Sequence, residues 1–119
     1  MSGGAPPEDL ASLPVDELVD LVSAAWEAEG YTMQRTDGRE IDLLARGKGE
    51  TVAIAVERGD DGPVGAAVVD AVVIDAYQYG ANDTVLATGG TFDDDAADHA
   101  EADGVTLVDG DDLRGRLSG

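Results

Sequence analysis

Asp42 is the acid whose setting asks for an explanation, because it interrupts an apolar run between Ile41 and Leu43. A carboxylate flanked by aliphatic side chains needs a hydrogen-bond partner, a counter-charge or a metal ion to offset its desolvation, unless its face of the strand is open to water. Glu40, two residues earlier, shares that face of an extended strand, and Glu57 closes a following apolar stretch that can pair alongside. Three carboxylates converging there would offer oxygen ligands to Mg²⁺ or Ca²⁺. Solvated surface decoration is the competing reading for each, in a chain with 26 Asp and Glu. Five of the seven cations, Arg35, Arg39, Arg46, Lys48 and Arg58, lie between residues 35 and 58 and bracket these acids. Such a basic island is what phosphate contact requires, although Asp37, Glu40, Asp42, Glu50 and Glu57 leave the span neutral at best.

Other chemistries are excluded or weak. Without cysteine there is no disulfide, thiolate metal site or cysteine nucleophile, and His99 alone cannot build a multi-histidine centre. With Asp95 and Asp98 beside it, His99 reads as a salt-bridged surface residue. Gly89-Gly90-Thr91 lacks the Lys-Ser/Thr ending of a phosphate loop and precedes Asp93 to Asp95, so it reads as a turn. Tyr77 and Tyr79 end an apolar helical stretch, where core or dimer packing outweighs base stacking.

The chain of 119 residues and 12.2 kDa is one domain's worth, and 43% hydrophobic residues suffice for a core. Seven cations against 26 acids give 7 − 26 = −19, and Asp outnumbers Glu while Lys48 is the only lysine. That balance resembles the proteins of salt-in halophiles, whose hydrated carboxylates are screened at a Debye length of ~3 Å in 1 M salt. Acidity of that origin does not exclude a nucleic-acid partner. No basic region precedes an apolar stretch at the N-terminus, and no window approaches the ~18 apolar residues of a membrane span, so the expectation is a soluble, cytoplasmic protein.

These residues must be positioned by a small number of elements. Residues 1–13 read as a flexible lead-in, with a folded domain over 14–119. Leu18, Leu21, Val22, Ala25 and Trp26 at helical spacing predict a helix over 15–29 stopped by Gly30, then a strand from Tyr31 to Arg35. Turn signals at Asp37-Gly38 and Gly47-Lys48-Gly49 frame a strand from Glu40 to Arg46. Thr51 to Glu57 is apolar enough to be buried on both faces at the centre of the sheet. Pro63 suits the opening of a helix over 64–79, which is apolar nearly all round and therefore sandwiched in the core or shared with a second copy in a homodimer. Strand 84–88, helix 93–103, strand 105–108 and helix 110–117, capped by Asp109, complete an αβββαβαβα α/β order with a central mixed sheet flanked by helices.

That order, with Gly30-Tyr31, Ile41-Asp42-Leu43, the buried third strand, Tyr79-Gly80-Ala81, Thr88 with Phe92, and Leu107-Val108-Asp109-Gly110 before Leu113, resembles the Mrr-type restriction endonuclease domain of the PD-(D/E)xK nucleases over about residues 15–117. The resemblance implies an Mg²⁺-dependent endodeoxyribonuclease fold. Its central Asp matches Asp42, and its Gln/Glu and Lys positions on the third strand fall at Ala55 and Glu57. Carboxylate-type ligands hold Mg²⁺ against the scissile phosphate there, and the lysine stabilises the attacking water and the developing charge. Ala55 offers no side-chain ligand, and Glu57 places negative charge where the family usually has positive. Arg58 does not replace the lysine, since on the strand it would face away from Ala55 and Glu57 and its guanidinium stays protonated. Two expectations follow. One is a DNA-associated domain with weakened or lost cleavage, its site at Asp42 and Glu57 with Glu40 and its cations on DNA. The other is a non-catalytic dimerisation or protein-interaction module that retains the fold.

Overall fold

The computed structural model describes residues 10–59 and 62–118. In chain order the elements are α1 (Val15–Ala28), β1 (Thr32–Arg35), β2 (Ile41–Gly47), β3 (Glu50–Glu57), α2 (Ala66–Ala76), β4 (Asp83–Thr88), α3 (Asp94–Asp103), β5 (Val105–Val108) and α4 (Gly110–Ser118). Short 3₁₀ turns add Leu10–Ser12 before α1 and Tyr77–Tyr79 after α2. This is the expected αβββαβαβα order. The strands form one mixed sheet in the order β1-β2-β3-β4-β5, antiparallel across the first three and parallel from β3 onward.

Local chemistry explains the boundaries. Gly30, at φ +101°, ends α1 while its N–H reaches Glu27 O and the Tyr31 N–H reaches Trp26 O. Lys48 (φ +55°) and Gly49 (φ +80°) are both left-handed, the pattern of a two-residue type I′ hairpin. Asp109 accepts from the Asp112 N–H at 2.9 Å, the cap anticipated for α4, and Asp93 caps α3 by accepting from the Ala96 N–H at 2.8 Å.

Central β3 is buried on both faces, and its alternation separates two cores. Val52, Ile54 and Val56 pack with Leu18, Val22 and Trp26 of α1 and with Leu113 of α4. Ala53 and Ala55 face the other layer, with Val69 and Val72 of α2 and Ala96 and Ala100 of α3. Each fully buried aliphatic side chain contributes roughly 1.5–3 kcal/mol, so the two layers together secure the sheet that carries the acids.

Several expectations are corrected. The ordered chain begins before residue 14: Leu10 is fully buried in the α1 core and Leu13 N–H returns to Leu10 O. The rest of the expected lead-in, residues 1–9, lies outside the described residues. Asp37-Gly38 is not a tight turn, because β1 ends at Arg35 and β2 begins at Ile41, leaving a five-residue connection. Helix α2 starts at Ala66 rather than 64, since Val64 is committed to a bridge with Phe92. At its other end the run expected to reach residue 79 tightens into the 3₁₀ turn. Tyr77 is 83% exposed and packs in no core, whereas Tyr79 joins the α2 layer. His99 pairs with Asp70 of α2 at 2.9 Å rather than with acids of its own helix. Among the described residues no helix is long and apolar enough to cross a membrane.

Candidate nuclease-type site at the end of the central strands

The start of β2 meets the end of β3, and Asp42 occupies an irregular place there. Ile41 pairs with Ala55 but Leu43 pairs with Ile54, so Asp42 is an extra residue, a β-bulge. The bulge breaks the alternation: Ile41 and Leu44 enter the α2 layer, and Leu43 and Ala45 enter the α1 layer. Asp42 Oδ2 accepts the Val56 N–H at 2.7 Å, satisfying a donor where the regular ladder is interrupted. Burial pushes the Asp42 carboxyl above the ordinary range. The Val56 N–H pulls it back, Glu40 pushes up again, and Arg35 opposes that. Glu57, at the tip of β3, is raised by burial first and then by Glu40 and Asp42. The three acids therefore feel one another's charge.

Glu57 and Glu40 line different clefts. Glu57 lines a cleft of about 420 Å³ with Arg58, Pro63, Val64 and the start of α2. Glu40 lines a second, of about 450 Å³, with Arg39 and Ala71, Ile74, Asp75 and Gln78. Among the described residues no three acid or histidine side chains stand close enough to hold a metal ion. Ala55, flanked across the ladders by Ile41 and Leu86, is fully buried and offers no side-chain donor. Asp42 and Glu57 remain the side-chain carboxylates that a divalent cation could meet at this end of the sheet, and one or two carboxylates with water and substrate phosphate can hold Mg²⁺.

The cations divide into two groups. Arg35, ion-paired with Asp20, lies near enough to act on Asp42; Arg39 lines the cleft of Glu40, and Arg58 lines that of Glu57. Strand β3 ends at Glu57, so the alternation that would turn Arg58 away from Ala55 no longer applies to it. Arg46 and Lys48 sit toward the hairpin at the opposite end of β2, Arg46 donating to Gln34 at 2.5 Å and Lys48 lying 5.1 Å over the Tyr31 ring.

Removing the Glu57 charge is expected to stabilise the protein. A folded-state pKa above the unfolded one means that the fold disfavours the ionised form; the penalty is present at neutral pH and vanishes as pH falls below the unfolded carboxylate range. Glu57→Gln should raise the denaturation midpoint at pH 7 and leave it unchanged near pH 3. Equal midpoints at pH 7 would mean that Glu57 is ordinary surface decoration.

Sequence reasoning passed over Asp75, which lies within the nearly all-apolar stretch of α2. It is 4% exposed and binds the backbone at the start of β2. No periodicity or motif marks that contact, because its partners are 34 and 35 residues away.

Among solved structures the chain is similar to the protein of unknown function AF1548, at 19% identity and a TM-score of 0.71, covering 81% of this chain and 58% of that one. It is similar also to a repair endonuclease from Pyrococcus abyssi, at 18% identity and a TM-score of 0.63 over 81% of this chain and 46% of that one. The MspJI restriction endonuclease, solved in complex with a 27-mer oligonucleotide, matches at 17% identity and a TM-score of 0.53, over 95% of this chain and 32% of that one. The chain thus spans less than two thirds of each of these proteins, and at these identities the likeness is one of fold. No match was found among curated proteins. The model of the Mrr_cat restriction endonuclease family matches residues 10–117, nearly the whole chain, and by that match the chain belongs to the Mrr-type restriction endonuclease family.

Proposed function

We propose that this domain associates with DNA through its nuclease fold and that its metal-dependent phosphodiester cleavage is weakened or lost. The observation that carries the reading is Ala55: fully buried between Ile41 and Leu86, it leaves Asp42 and Glu57 as two mutually repelling carboxylates. Mg²⁺ bound there would have at most a partial protein shell, with no lysine beside it. Asp42 and Glu57 are the remnant of the site, and Glu40 adds charge from the neighbouring cleft. Arg35, Arg39 and Arg58 stand nearest the acids and supply phosphate contacts, which Arg46 and Lys48 extend along the meander. The relative solved with an oligonucleotide supports DNA as the partner.

Exposed Ile74 and Tyr77, at 71% and 83%, favour a second reading: an interaction module that docks or dimerises through the outer face of α2. One assay separates the two. Plasmid incubated with the protein, Mg²⁺ or Mn²⁺ and molar KCl should be retained but not cut. Robust cleavage that vanishes in Asp42→Ala would refute the loss of activity. Absence of retention at every salt concentration would leave the interaction module.

A further inference from the structure

Asp75 is the acid that the fold buries most completely among the described residues, and its two oxygens have different duties. Oδ2 accepts the N–H groups of both Glu40 and Ile41, each at 2.9 Å, while Oδ1 accepts from Gln78 Nε2 at 2.9 Å. The two backbone donors are the pair immediately before the bulge, so this one carboxylate grips the chain at the last point before Asp42. The approach is tight on its other side as well. A Cβ at Gly38 would lie 2.7 Å from Asp75 Oδ2 and 2.4 Å from the Tyr79 hydroxyl, so the β1–β2 connection closes down on the end of α2.

We propose that Asp75 is a positioning residue: by fixing the backbone of Glu40 and Ile41 it sets the bulge and delivers the Asp42 carboxylate to the Val56 N–H beside Glu57. Its importance for function rests on the reading of Asp42 as the acid of the site, but the placement itself does not. Helix α2 thereby borders the site twice, lining the Glu57 cleft at its start and holding the backbone beneath Asp42 near its end. An sp² oxygen at this reach suits the task because its two lone pairs can take both backbone donors at once.

The rival account is that Asp75 merely satisfies two N–H groups and supports overall stability. Amide hydrogen exchange followed by NMR on the full chain, with neither DNA nor metal present, distinguishes them. Val56 reports the Asp42 bond, and Ile54, fully buried two residues earlier on the same strand, reports general opening. Asp75→Asn keeps an acceptor at the same reach and should leave the Val56-to-Ile54 exchange ratio within about twofold of wild type. Asp75→Glu keeps the charge but moves the grip by one methylene, and Asp75→Ala removes it; both should raise that ratio about tenfold, as loss of a bond to a charged acceptor requires. If the Ala variant fails to fold, the Glu variant decides alone. Equal acceleration of both amides, or an unchanged ratio in Asp75→Glu, would overturn the proposal. Failure to retain DNA would touch only the functional reading.

Discussion

Gly89→Ala should destabilise the domain by about 3 kcal/mol or more, a large fraction of the ~5–15 kcal/mol that holds a domain of this size together. A Cβ at Gly89 would stand 2.3 Å from Leu10 O and 2.6 Å from Leu10 C, both backbone atoms that no rotamer change can move away. The same junction brings Gly59 against Gly90, where an added Cβ would lie 2.2 Å from the Gly90 nitrogen, and Gly110 against the Gly89 carbonyl at 2.3 Å. The loops leaving β3 and β4 and the start of α4 therefore meet backbone to backbone, with the Leu10 turn on top. Gly115→Ala is the control: it lies in α4 with open space around a new Cβ, so it should stabilise by about 0.5–1 kcal/mol. Urea titrations in molar KCl measure both. A Gly89→Ala variant within about 1 kcal/mol of wild type would show that the junction yields, contrary to the usual cost of overpacking.

Ala55→Glu places an acid at the third-strand position proposed to correspond to the family's Gln or Glu, and it should cost about 3 kcal/mol or more at pH 7. Its neighbours across the ladders, Ile41 and Leu86, are fully buried, so the new carboxylate would be desolvated and its pKa would rise. The sign then fixes the pH dependence. An acid whose folded pKa is raised destabilises above the folded value, and that charge penalty disappears below the unfolded one, leaving only the overpacking cost. Ala55→Gln should carry the packing cost without the pH dependence. Denaturation at pH 7 and near pH 4 tests the pair. An Ala55→Glu protein as stable as wild type at pH 7 would mean that the position opens to solvent and can still accept a ligand, against the reading of an eroded site.

Much of this was legible in the chain itself. Helical spacing in α1, the nearly uninterrupted apolar run of β3 and the turn residues at Lys48-Gly49 report local periods and local dihedral demands, and the element order followed from them. The bulge was not legible, because Ile41, Leu43 and Ala45 look like one face of a regular strand until pairing with β3 inserts Asp42 as an extra residue. Placing Glu40 and Asp42 on one face rested on that regular strand; in the folded protein Glu40 lines a cleft of its own. Arg58 escaped for a related reason, since alternation rules stop where the strand stops. Asp75 and the Gly59, Gly89 and Gly110 junction depend on contacts distant along the chain, which no window of sequence encodes.

Lys48 carries one further implication. As the only lysine in the sequence, standing on the β2–β3 hairpin over Tyr31, it gives amine-directed reagents one side-chain target, at the pole of the sheet opposite Asp42. Acylation there would discharge that ammonium and weaken its hold on the aromatic ring while sparing the carboxylates. The domain can accordingly be tethered or labelled through that residue with its acidic end turned outward.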